Sequence, residues 1–235
     1  MKRFYKEVSI EKEAGGYAVQ LDGKPIRTPS KTILIARNEN LAILSKAEWD
    51  AQGDKIDHNT MPVTQLLNTK QDRISGDRAA LESEVLKYIN TDLLCYRADN
   101  PEELVERQNK LWQPHLDWFS KQYGLNFETT GGLGALKQDA KIHDVIADEI
   151  RALDDDCFTL VQMITPACGS IILALAFIKG AAGADDLMAC AYLEEDYKYD
   201  FYNEKLHGGD PLTEKKKAIL RRDLEAAEAY RNALN

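Results

Sequence analysis

A chain of 235 residues, 44% of them hydrophobic, is long enough to fill a real core, so it reads as a folded globular protein of one large domain or two unequal ones. Its 39 acidic side chains outnumber 30 Lys and Arg, and the net charge of −9 disfavours general binding to nucleic-acid phosphates. The four cysteines, Cys95, Cys157, Cys168 and Cys190, lie far apart without a CxxC pair, which excludes a zinc ribbon or a disulfide framework and suits buried thiols in a reducing compartment.

The N-terminus, MKRFYKEVSI, starts with charge and then alternates without entering an apolar run, so no secretory signal is expected. A bacterial cytoplasm, or a mitochondrial matrix after presequence removal, fits that start. From Phe4 to Ile35 the pattern is strand-like: RFYKEVSI, YAVQL, the turn Leu21-Asp22-Gly23-Lys24, then TILIA after Thr28-Pro29. Asp-Gly between β-favouring residues predicts a hairpin, because such turns need positive φ.

After Asn38 the period changes to that of a helix carrying Leu41, Leu44, Ala47 and Trp49, which Gly53 stops. Helices then dominate: Val63 to Ile74 after Met61-Pro62, Asp77 to Ile89, and Glu102 to Tyr123 with a kink or break at Pro114. In the last of these, Leu104, Leu111, Trp112, His115 and Phe119 share a face and read as core. Leu93 to Arg97 and Leu125 to Thr129 are expected to be extended, returning to the β module or packing beside it. Ile142, Val145, Ile146, Ile150 and Leu153 form an amphipathic stripe.

Cys157 to Ile178 carries no charge and has the length of a bilayer span. Gln162, Thr165, Pro166 and Gly169 interrupt it, which predicts two apolar core helices and no stable membrane insertion. The closing helices run from Asp185 to about Asn203 and from Thr213 to Leu234, the latter charged enough to lie on the surface. The predicted class is α+β: a small N-terminal antiparallel β domain, residues 1–55, followed by a larger α-helical domain, residues 56–235.

Several chemistries fail on spacing. Thr129 to Lys137 is glycine-rich, but two residues separate its last glycine from Lys137 and Gln138 follows, so it is no phosphate loop. Glu204-Lys205-Leu206-His207 has the Glu-x-x-His spacing of a carboxylate metal site in a single copy, and no metal or cofactor is expected. Glu194 and Glu195 are adjacent on a helix and diverge by about 100°, too far to act jointly on one atom. Ser170 lies outside any nucleophile elbow, and Ser170 or Thr165 reads as a helix cap.

The remaining feature is ACAYLEEDYKYDFYNEKLHGG, residues 189–209, where five acidic and five aromatic side chains crowd together. Leu193, Tyr197 and Phe201 fall near one helical face, leaving Glu194, Asp196, Tyr199 and Asp200 outside. Aromatic area with carboxylates suits protein recognition, and an acidic solvated helix with core tyrosines fits the same residues.

One set of pieces decides more than any single motif: Lys2-Arg3-Phe4-Tyr5-Lys6, Leu21-Asp22-Gly23-Lys24, Glu48-Trp49-Asp50 with Gln52, Met61-Pro62, and Thr91-Asp92-Leu93-Leu94 before Tyr96-Arg97. It continues with Gln108, Trp112-Gln113-Pro114, Ser170 with Ala174-Leu175-Ala176, and Leu193-Glu194-Glu195-Asp196-Tyr197. In this order the chain resembles, over nearly its whole length, the assembly chaperones of the F-type ATP synthase catalytic head. The resemblance implies a monomeric protein that binds the unassembled alpha subunit, shields its beta-facing surface and turns over no substrate. It places partner binding on Glu194 and Glu195, with Asp196, Tyr199 and Tyr202 beside them. Where the family continues to Trp-Gly, this chain has Tyr202-Asn203. The alternative is an enzyme using carboxylates such as Asp92 and Glu194 in an interdomain cleft.

Overall fold

The computed structural model describes residues 1–132, 134–201 and 211–234. Its N-terminal strands form one antiparallel sheet around a central strand. β1 (Val8–Glu13) pairs with β2 (Gly16–Leu21) from Val8 opposite Leu21 to Glu13 opposite Gly16. Along the other edge of β2, β3 (Lys24–Pro25) pairs with its end and β4 (Ile35–Ala36) with its start. The turn from β2 to β3 is the one expected, with Asp22 at φ 49° and Gly23 at φ 75°. The amides of Lys6 and Glu7 donate to the Asp22 carboxylate at 3.0 and 2.9 Å, and these bonds, that of Glu7 foremost, hold its carboxyl below the usual range. The first strand starts later than its alternation suggests, because Arg3 donates its amide instead to the carbonyl of Asp54.

α1 (Glu39–Asp50) is capped by Asn38, whose side chain accepts from the Leu41 amide at 2.9 Å, and it buries Leu41, Ala42, Ser45 and Trp49. Glu48 on that helix reaches the next one: its carboxylate accepts from the amides of Val63 and Thr64 at 2.7 and 2.8 Å, at the positive end of α2 (Pro62–Thr69). α2 runs through a π-helical turn, Lys70–Ile74, into α3 (Ser75–Leu86), with non-helical backbone at Asp77 where the pattern predicts a boundary.

The chain divides into two compact units. The first comprises Met1–Arg78, Asp154–Thr159 and Glu225–Asn235, and the second Ala79–Leu153 and Leu160–Leu224. Within the first, the Tyr230 hydroxyl donates to Asp156 at 2.5 Å, while Lys70 and Arg37 approach the same carboxylate at 3.4 and 3.5 Å. The C-terminal helix (Pro211–Ala233) is therefore not the surface helix its charge suggests, since Leu224, Ala227 and Tyr230 are buried.

The second unit holds α4 (Glu102–Leu111) and α5 (Gln113–Tyr123), divided where Pro114 starts the second helix. Trp112 and Phe119 are core as expected, whereas Leu104, Leu111 and His115 are half-buried and Gln108 and Leu116 take core positions. α6 (Ala140–Ala152) buries Ile142, Ile146 and Ile150. The two stretches expected to be extended form a 3-10 turn at Leu93–Cys95 and irregular backbone, joined where Tyr96 bridges Thr130. The Leu94 amide donates to the Asp92 carboxylate, and the backbone bonds from Arg97 to Thr130 and from Thr130 to Cys95 join the two stretches only locally, so no continuous ladder develops.

The uncharged segment becomes all but the first two residues of α7 (Asp155–Cys168) and all of α8 (Ile171–Ile178). The break falls at Gly169, φ +68°, and Pro166 is accommodated inside α7. Ser170 caps α8 by accepting from the Leu173 amide at 3.1 Å. Among the described residues no helix is long and apolar enough to cross a membrane. The unit is completed by α9 (Ala184–Ala191) and α10 (Leu193–Phe201).

Candidate partner-binding site

The acidic helix α10 is oriented from its buried side. Leu193 and Tyr197, four residues apart, are 3% and 8% exposed and fix that face inward. Glu194, Glu195 and Asp196 then occupy the first turn, where the helix dipole favours negative charge. Beside the anchor, Trp112 donates its indole N–H to the Cys190 carbonyl at 3.0 Å, tying α9 to the junction of α4 and α5.

Each carboxylate of α10 has a different setting. Glu194 is half-buried and accepts from the side-chain amide of Gln108 at 2.9 Å; Gln108 is 1% exposed and its carbonyl accepts from the Ala98 amide at 2.8 Å. A buried amide with both ends bonded has one orientation, so it sets the Glu194 carboxylate in place. Arg107, the preceding residue on α4, donates to Asp200 at 2.6 Å and to Glu103 at 2.8 Å and stands 5.3 Å over the Tyr197 ring. Those hydrogen bonds, Asp200 first, raise its already high pKa.

Lys217 from the C-terminal helix does the same for the middle of α10. Its ammonium pairs with Asp196 at 2.5 Å and lies 5.5 and 5.1 Å from the rings of Tyr192 and Tyr199. Burial is the largest single influence and works against its charge, but the Asp196 hydrogen bond and the nearby charges of Asp196 and Glu214 together outweigh it and raise its pKa. Arg221, one turn on, pairs with Asp185 at 2.9 Å. Asp196 and Asp200 are thus neutralised internally. Glu195 is exposed, and its carboxylate has no hydrogen bond or ion pair among the described residues.

Two cavities adjoin this helix, of about 480 Å³ beside Met188, Tyr192 and Glu214, and about 410 Å³ beside Arg107, Leu111 and Tyr199. Both are walled by Ala189, Asp196 and Lys217. Of the residues singled out from sequence, Glu194, Glu195, Asp196 and Tyr199 therefore lie on one short helix. Tyr202 is outside the described residues, as are Asn203, Glu204 and His207. Sequence reasoning assigned no role to Gln108, Arg107 or Lys217. Lys217 is one of three consecutive lysines, and nothing in that run marks which one faces α10.

Asp92 does not join this surface. Its carboxylate is fully buried and accepts from the Ser170 hydroxyl at 2.9 Å and from the amides of Ile172 and Leu94 at 3.1 and 3.0 Å. Burial pushes it up to about 6 against the lowering effect of those bonds. It is spent on capping α8 and has no face toward a substrate. Burial also pushes the thiols of Cys157, Cys168 and Cys190 up to about 12, far from reactive. Among the described residues no group of three His, Cys, Asp or Glu side chains is placed to hold a metal ion.

The family model for the ATP12 chaperone protein matches residues 2–120. The crystal structure of Atp12 from Paracoccus denitrificans aligns with all of this chain and 98% of its own, at 32% identity and a TM-score of 0.89. The Atu1473 protein of Agrobacterium tumefaciens aligns at 35% identity and a TM-score of 0.91, over all of this chain and 86% of its own. The mitochondrial protein atp12 of Schizosaccharomyces pombe is 26% identical over 210 residues, 84% of this chain and 72% of the relative. The α+β arrangement of an N-terminal antiparallel sheet and a mostly helical remainder is the fold these structures share. The chain belongs to the ATP12 chaperone family.

Proposed function

We propose that this protein is an assembly chaperone of the F-type ATP synthase that binds the unassembled alpha subunit of the catalytic head. Free alpha exposes apolar surface meant for beta, and such surface aggregates unless covered. The chaperone shields that surface reversibly, and beta displaces it by making the larger interface, with no nucleotide hydrolysed. It acts as a monomer, in the bacterial cytoplasm or the mitochondrial matrix.

The observation that carries this reading, together with family membership, is the asymmetry of α10. On α10 Asp196 and Asp200 are already paired and Glu194 is held by Gln108, so of this helix's four carboxylates only that of Glu195 is uncommitted among the described residues. Glu194 and Glu195 are then the residues that select a basic complement on alpha, with Asp196, Tyr199 and Tyr202 around them. Co-expression with the alpha subunit of the same organism tests it: alpha should stay soluble and co-purify, and should leave the complex when beta is added. Alpha that precipitates as readily with the chaperone as without it, or a stable complex of all three proteins, contradicts the proposal.

A further inference from the structure

Between Glu102 and Leu111, α4 buries one side chain, and it is a polar one, Gln108. Burying an amide costs stability unless its ends are bonded, and a leucine would occupy the same position without that demand. Here both ends are bonded: the carbonyl accepts from the Ala98 amide at 2.8 Å, and the NH₂ donates to Glu194 Oε1 at 2.9 Å. Glu194 Oε2 has no hydrogen bond among the described residues.

The other two carboxylates held on α10 are held by cations. Arg107 takes Asp200 and Lys217 takes Asp196, so each of those groups is fixed and neutralised at once. Gln108 carries no charge. It fixes Glu194 and leaves the negative charge on it, whereas the exposed Glu195 keeps its charge but is free to turn. A side chain ordered before its partner arrives does not have to be ordered on binding, which for one long side chain is worth roughly three- to tenfold in affinity. A neutral donor is what a site needs when a carboxylate must be both placed and charged.

We infer that Gln108 is a positioning residue for partner binding: it sets Glu194 in advance, with its charge intact and Oε2 open to a basic side chain of the alpha subunit. The identity of that partner rests on the chaperone reading above. The placement of Glu194 rests on the contacts of Gln108 alone.

The test is a mutant cycle on the full chain, read as affinity for purified alpha subunit beside Tm. Gln108→Leu should weaken binding roughly three- to tenfold in the wild type and equally in Glu195→Gln, but hardly at all in Glu194→Ala, where nothing is left to position. Unchanged affinity in Gln108→Leu, or a loss of the same size in all three backgrounds, overturns the inference; the second result would mean that Gln108 acts through the fold. Should the leucine variant not fold, Gln108→Glu keeps an acceptor for the Ala98 amide and sets two carboxylates against each other. Combining it with Glu194→Gln exchanges donor and acceptor. That pair should melt above Gln108→Glu alone yet bind alpha no better than Glu194→Gln alone, and affinity that recovers together with Tm overturns the inference. A readout without alpha is the nitrogen-15 signal of the Gln108 side-chain amide, which should move in Glu194→Ala; an unmoved signal overturns the positioning contact whether or not alpha binds. If the signal moves and the wild-type chain does not bind alpha, the chaperone reading falls and takes this inference with it. If alpha binds and the loss ignores position 194, this inference alone falls.

Discussion

Replacing Asp92 by Asn isolates the one carboxylate among the described residues that the second unit encloses completely. In the wild type it accepts hydrogen bonds from Ser170, Ile172 and Leu94, and burial nevertheless pushes its carboxyl from 3.8 up to about 6. The folded state therefore holds a proton that the unfolded chain gives up, in the window between the unfolded value near 4 and the folded value near 6. Stability from this group is fully present below that window and is lost as pH rises through it. Two pH units correspond to roughly 3 kcal/mol at full effect. Asn cannot ionise, so it removes this dependence; it also turns an NH₂ toward an amide donor, which costs roughly 1–3 kcal/mol at neutral pH. Urea unfolding of both chains at several pH values between about 4 and 7 gives the difference directly. Wild type minus variant should fall by about 2–3 kcal/mol across the range. A difference that stays flat, or that rises with pH, refutes the reasoning.

Two further substitutions probe the first unit. Tyr230→Phe removes the hydroxyl that donates to the 5%-exposed Asp156, and should cost about 1–3 kcal/mol, seen as a drop in Tm of several degrees; an unchanged Tm would mean that Lys70 and Arg37 satisfy the carboxylate alone. A methyl group added at Gly16 would sit 2.1 Å from the Ala36 carbonyl oxygen, so Gly16→Ala should force β4 from β2 and cost on the order of 2 kcal/mol or more. Gly53→Ala, where a methyl meets nothing within 4 Å, is the control and should leave thermal unfolding nearly unchanged.

What the sequence discloses about this fold is mostly local chemistry. Asp22-Gly23, Pro62, Pro114 and Gly169 mark boundaries because a fixed or positive φ acts within a residue or two, and Ser170 caps the helix that begins next to it. The candidate site is legible as composition: acids and aromatics concentrated in one stretch point to α10, and helical spacing puts Leu193 and Tyr197 inward. Its partners were not. Gln108 stands 86 positions from Glu194, and Lys217 stands 21 from Asp196, separations at which no periodicity speaks. The C-terminal helix misleads for a related reason, since Leu224, Ala227 and Tyr230 are a narrow stripe among many charges and two of the three residues are not bulky aliphatics. Asp92 looked available for chemistry because its enclosing bonds come from Ser170 and Ile172, 78 and 80 positions away.

Glu194 and Glu195 are proposed to hold the alpha subunit without holding up the fold. The direct measurement is the affinity of a Glu194→Gln, Glu195→Gln double variant for purified alpha subunit, taken beside its thermal unfolding curve. Binding should weaken by roughly tenfold or more, as expected for charge contacts that become desolvated at an interface, while Tm stays within a few degrees of wild type because Glu195 is exposed and a glutamine at 194 keeps a side-chain oxygen to accept from Gln108. Unchanged affinity, or a loss of binding matched by an equal loss of stability, would contradict the central claim.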